Sequence, residues 1–157
     1  FKITDVNYFK VGTMSSFANA WNKMSGDIKY VFLYLHGWTG ELNFYNETIN
    51  TKDVVSKLAN KTITGYIYLF SCKGGDGNEG ENLAWALAKK NKVKVVACTA
   101  GVSYTNFLWG GYQARVGRDW FFKPWSYWYE YSYQDNKPTK KVWSPKWCKI
   151  DYLPWTY

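Results

Sequence analysis

The sequence is poor in the residues that most often carry chemistry. It has one histidine, His36, and three cysteines, Cys72, Cys98 and Cys148, among 157 residues. An odd and sparse cysteine count with no CxxC pair does not describe a disulfide framework, and a single histidine leaves no ordinary zinc ligand set. No metal site and no cofactor are therefore expected. No apolar run approaches the roughly 18–20 residues that cross a bilayer as a helix. Internal repeats, low-complexity linkers and an initiating methionine are also missing. The chain reads as a fragment of something longer, on whose absent part any targeting signal would lie.

What is present is a globular composition. Apolar residues make up 46% and charged residues 20%, enough for a core and too few charges for disorder. Net charge is +8, which raises nucleic acid or an acidic protein as partners. The charge is spread: 12 basic and 8 acidic residues up to position 110, then 8 and 4. Only Lys137–Lys141 forms a cluster. A nucleic-acid module concentrates its charge, so an acidic protein partner is the better reading of the excess.

The texture changes near residue 105. Before it, apolar strands alternate with amphipathic segments. After it, tryptophan and tyrosine dominate. Over 13–24 the pattern predicts a helix with Thr13 as N-cap. Residues 28–35, IKYVFLYL, form a near-continuous apolar run, as in a strand buried on both faces. His36-Gly37 end it. Residues 41–45 alternate as a short strand, and 52–60 predict a helix. Residues 63–70, ITGYIYLF, predict a second buried strand ending in Ser71-Cys72. KGGDGNEG follows as a glycine-rich loop that lacks the phosphate-cradling GxxxxGK[ST] spacing and reads as a flexible substrate-side segment. Residues 81–91 predict a helix with lysines in its last turn, and 93–98 a third strand ending in Cys98-Thr99. Alternating strands and helices imply right-handed crossovers and a parallel sheet, whose functional groups sit at the carboxyl ends of the strands. The tail, with Pro124, Pro138, Pro145 and Pro154, reads as strands or extended segments. The expectation is one domain over 1–157, with an α/β core at about 12–104 and an aromatic-rich segment at about 105–157 packed on it.

A nucleophile in this chain has only His36 to serve as base. HGW after an apolar strand is similar to the oxyanion-hole turn of α/β-hydrolases. Those enzymes place histidine after a GxSxG nucleophile, and no histidine follows here. A papain-like order, cysteine before histidine, fails too. The order that survives is His36 then Cys72, each ending a parallel strand. IKYVFLYLHG, GELNFYN, ITGYIYLFSC and VKVVACTAGVSY in this order resemble the caspase-like (clan CD) cysteine peptidases over residues 28–103. The flanking QACxG of caspases is absent; this chain has FSCKG.

The resemblance implies a three-layer α/β sandwich around a mostly parallel sheet. It implies Cys72 as nucleophile, His36 as general acid/base, and the amides of Gly37 and Cys72 as oxyanion hole. Trp38, Ser71, Lys73 and Asp76 would lie on the substrate side. Read from the residues alone, Asp76 and Glu79 could attract a basic side chain, with a solvated loop the stronger reading. The substrate would be a protein. Domains that close bacterial polymorphic toxins look similar, which implies a secreted or delivered protein with an acidic immunity partner. Cys98, with no base left for it, is expected to be structural, and Cys148 to serve packing. The tail aromatics read first as core. A non-catalytic protein- or glycan-binding module using them is the alternative, and a nucleic-acid-directed toxin a weaker one. Asn46 and Asn60 match the glycosylation sequon, a common chance pattern.

Overall fold

A computed structural model describes residues 5–107, 111–116 and 128–143. The chain runs α1 (Met14–Lys23), β1 (Ile28–Tyr34), β2 (His36–Trp38), β3 (Glu41–Phe44), β4 (Glu47–Asn50), α2 (Thr51–Ser56), β5 (Ile63–Phe70), α3 (Leu83–Asn91), β6 (Lys94–Cys98), β7 (Val102–Phe107), β8 (Gly111–Val116), β9 (Trp128–Gln134) and β10 (Lys137–Val142). The architecture is α/β with a mixed sheet. The five-stranded sheet has the order β1-β5-β6-β9-β10. β1, β5 and β6 are parallel, whereas β9 pairs antiparallel with β6 and β10 with β9. A smaller antiparallel sheet holds β2-β3-β4, and β7 pairs with β8.

Each helix starts where the sequence supplies a cap. Thr13 accepts from the Ser16 amide and Ser16 reaches back to the Thr13 amide, a capping box. Asn50 caps α2 and Asn82 caps α3. α1 buries Met14, Phe17 and Trp21, and the Trp21 indole donates to the Ala59 carbonyl at 2.7 Å. The β9–β10 hairpin turns on Asp135 and Asn136, both at positive φ, which matches the right-handed twist of its strands.

The two faces of the sheet differ. Each crossover from β1 through β5 to β6 moves one strand in the same direction, so right-handed connections put α2 and α3 on one face. That face is the main core: Val31, Leu33, Ile67, Leu69, Val95, Ala97 and Tyr131 pack against residues of all three helices. The opposite face, among the described residues, carries a second cluster of Phe70, Val96, Cys98, Val102 and Trp128 with no helical member. It is an aromatic ladder, with Phe32 on Tyr68 at 5.1 Å and Tyr34 on Phe70 at 4.8 Å between ring centroids.

Two expectations change. β1 is an edge strand, not a strand buried on both faces, and its Tyr34 is 37% exposed. The segment after residue 105 does more than lie on the core: β9 is a sheet strand and Tyr131 is fully buried. The Lys137–Lys141 cluster lies on edge strand β10, where lysines block pairing with another chain. Of the tail aromatics, Trp128 and Tyr131 are core, as the packing reading has it. Cys148, Pro124, Pro145 and Pro154 lie outside the described residues. No helix among the described residues is long and apolar enough to cross a membrane.

Candidate active site

The geometry starts from a register. β1 and β5 run parallel with Leu33 opposite Leu69 and Tyr34 opposite Phe70. The Leu35 amide donates to the Phe70 carbonyl at 3.1 Å, carrying the ladder one step further. The next positions in the same register are His36 and Cys72. Their separation in sequence equals the offset of the two strands, whose paired register itself ends at Tyr34 and Phe70.

The chain does not stop at His36. It bends and enters β2, where His36 pairs with Asn43, Gly37 with Leu42 and Trp38 with Glu41. Alternation along β2 leaves His36 and Trp38 exposed and turns Gly37 inward. A β-carbon at Gly37 would stand 2.3 Å from the Ser71 hydroxyl and 2.9 Å from the Glu41 carbonyl oxygen. Only glycine lets β2 close onto the end of β5. Ser71 is therefore an interior residue, 1% exposed, and does not face a substrate. Its hydroxyl has no hydrogen-bond partner among the described residues.

Cys72 is half-buried and free. Its sulfur accepts from the Val102 amide at 3.2 Å, and the thiol donates to the Val102 carbonyl oxygen at 3.4 Å. Among the described residues no hydrogen bond joins His36 to Cys72; the sulfur is held by the first residue of β7. Val102 is the site residue that sequence reasoning missed. A backbone amide leaves no signature in side-chain identity.

The glycine-rich loop is anchored, contrary to a flexible substrate-side segment. The Lys73 amide donates to the Ala100 carbonyl at 2.9 Å, and the Gly75 amide to the Cys98 carbonyl at 2.8 Å. Gly74 and Gly75 are buried. Lys73 has φ 51°, the left-handed region that costs a side chain on the order of 1 kcal/mol. Its ammonium sits 3.8 Å from the centroid of the Trp38 ring, which is 53% exposed. Trp38 and Lys73 thus form one rim beside Cys72. Asp76 is committed: its carboxylate accepts from the Thr39 hydroxyl at 2.7 Å. Glu79 accepts from the Tyr133 hydroxyl and pairs with Lys89 at 3.6 Å. Of the two carboxylates, Glu79 has a cation beside it, and Asp76 keeps its charge with a neutral hydroxyl as partner.

Cys98 is the structural thiol the sequence suggested. It is fully buried, accepts from the Ala100 amide at 3.2 Å, and burial pushes its pKa up to about 12. A cavity of about 450 Å³ lies between the β2–β3 turn, the start of α2 and Gly80-Glu81. Neither His36 nor Cys72 lines it. Among the described residues no three potential ligand side chains gather around a metal position. No family model and no curated protein matches this chain.

Proposed function

We propose that the chain is a cysteine endopeptidase of caspase-like type working with a His36–Cys72 dyad. The observation that supports this most is the parallel pairing of β1 and β5 up to Tyr34 and Phe70, two residues before His36 and Cys72, with Gly37 seated on Ser71. Functional groups at the carboxyl edge of a parallel sheet are the usual arrangement of α/β enzymes.

The steps follow from the groups present. The Cys72 thiolate attacks the carbonyl carbon of a peptide bond, and the oxyanion that forms is received by the amides of Gly37 and Cys72. His36 as imidazolium gives its proton to the leaving nitrogen as the C–N bond breaks, leaving an acyl thioester on Cys72. Water then gives a proton to neutral His36 as its oxygen attacks the thioester. The C–S bond breaks, releasing the acid and restoring the thiolate. No cofactor enters these steps. The exposed His36 and the half-buried Cys72 are open to a substrate strand laid over Trp38 and Lys73.

The caspase-like sandwich remains part of this proposal, as does the role of a toxin or effector domain delivered as part of a longer protein. The basic charge suits an acidic inhibitor protein. The test uses Cys72→Ala and His36→Ala, each checked for native circular dichroism. Both should abolish toxicity in a recipient cell or cleavage in a proteome-wide terminus assay. Full activity in both folded variants would eliminate the peptidase reading. Retained binding to a target in Cys72→Ala, without cleavage by the native chain, would favour a binding module.

A further inference from the structure

The turn that carries Cys72 is gripped from two sides, and one grip comes from the far end of the chain. β9 crosses the core beside β6, and its Tyr131 is fully buried. The Tyr131 hydroxyl donates to the Gly75 carbonyl, three residues beyond the nucleophile. The amide of the same residue donates to Cys98 at the end of β6, so Gly75 is held at both polar groups. Gly74 is tied too, its carbonyl accepting from the Ala84 amide at 3.1 Å in α3.

The fit around Gly75 is close. A β-carbon there would stand 2.5 Å from the Tyr131 hydroxyl and 3.0 Å from two ring carbons. Tyr131 is itself wedged edge-on against Trp85 of α3, at 5.1 Å between ring centroids. Asn82 is buried beside it, its oxygen capping α3 through the Trp85 amide at 3.1 Å. Burial raises the Tyr131 phenol well above its ordinary value, with the Asn82 amide pulling the other way, so the hydroxyl stays a donor at working pH.

We infer that Tyr131 is a positioning residue for the Cys72 turn, fixing the sulfur against the Val102 amide through its bond to Gly75. The inference rests on the dyad reading above. It assigns the aromatic tail a part in the reaction that its burial alone does not give. A phenol was needed here because an apolar ring would leave the buried Gly75 carbonyl without this donor. A misplacement of about 1 Å at a reacting atom lowers rate by as much as a hundredfold.

Tyr131→Phe removes only the hydroxyl. The expected result is a fall of about tenfold or more in kcat with KM nearly unchanged. The rate of Cys72 alkylation by iodoacetamide should fall with it, measured by site-resolved mass spectrometry well below the melting temperature. A role in stability alone would move the melting temperature and leave the alkylation rate of the folded protein intact. A folded Tyr131→Phe that alkylates Cys72 at the native rate overturns the inference. If that variant does not fold, Gly75→Ala carries the same test, since its methyl displaces the same bond, and native-rate alkylation overturns the inference there. Slow alkylation of Cys72 in the native chain, with activity surviving Cys72→Ala, would instead remove the dyad on which the inference rests.

Discussion

Replacing Gly37 by alanine tests whether β2 closes onto the end of β5. The added methyl would lie 2.3 Å from the Ser71 hydroxyl, 2.9 Å from the Glu41 carbonyl oxygen and 3.4 Å from a Leu42 methyl. The Ser71 side chain is buried and has little room to turn away, and the Glu41 oxygen is main chain. Overpacking of this kind costs about 1–3 kcal/mol, and two close contacts argue for the upper half of that range. For a chain of this size 1 kcal/mol moves the melting temperature by about 2–4 °C, so Gly37→Ala should melt about 5–10 °C lower.

Ser71→Ala supplies the control. It deletes a buried hydroxyl with no partner among the described residues, whose burial costs about 1–3 kcal/mol, so alone it should raise the melting temperature. In the Ser71→Ala background Gly37→Ala should cost about half as much, because the Glu41 contact remains. Gly12 has nothing within 4 Å of an added β-carbon, so Gly12→Ala should stay within about 0.5 kcal/mol of the native chain. Circular dichroism melts of the five proteins decide it. Gly37→Ala melting together with Gly12→Ala would refute the seating of β2 on Ser71.

Other perturbations follow from the same packing. Thr13→Ala removes the α1 capping box and should cost about 1 kcal/mol in a urea titration; no change in midpoint would mean that the cap is not formed. Trp21→Ala leaves a hole at a 2% exposed position and orphans the Ala59 carbonyl, so a loss of about 3–5 kcal/mol is expected, and a loss under about 1 kcal/mol would contradict the packing of α1. Alkali should destabilise the protein through Cys98, whose thiol is held protonated up to about pH 12 in the fold against 9.0 for an ordinary thiol. Between those values the unfolded chain has lost the proton and the native chain keeps it. Stability then falls as pH rises, by about 1.4 kcal/mol per pH unit from this group. Cys98→Ala should show a shallower decline between pH 9 and 11 in urea midpoints, and identical slopes would refute the burial argument.

The periodic parts of this fold were readable in the sequence because their signals are local. IKYVFLYL, ITGYIYLF and VKVVAC carry strand patterning, and Thr13 and the lysines of α3 mark helix ends. The parallel pairing of β1 with β5 was readable for the same reason, since two strands joined by one crossover lie side by side. What was not readable depends on partners far along the chain. HGW looks like a stop, yet β3 pairs with it and turns it into β2. The position of β1 at the sheet edge is set by which strand finds β6, and that strand, β9, lies 30 residues beyond it. KGGDGNEG looks flexible, yet Cys98, Ala100 and Tyr131 hold its first residues. Asp76 and Glu79 accept from the hydroxyls of Thr39 and Tyr133, which lie far from them in sequence.

The proposed dyad makes Cys72 an activated thiol served by His36. The most direct measurement is the pseudo-first-order rate of iodoacetamide alkylation at each cysteine of the native protein and of His36→Ala, resolved by peptide mass spectrometry at pH 7. With the dyad in place, Cys72 should be modified about tenfold or more faster than glutathione under the same conditions, Cys98 should stay essentially unmodified, and Cys72 should slow markedly in His36→Ala. Alkylation of Cys72 no faster than glutathione, or a rate that ignores the loss of His36, would contradict it.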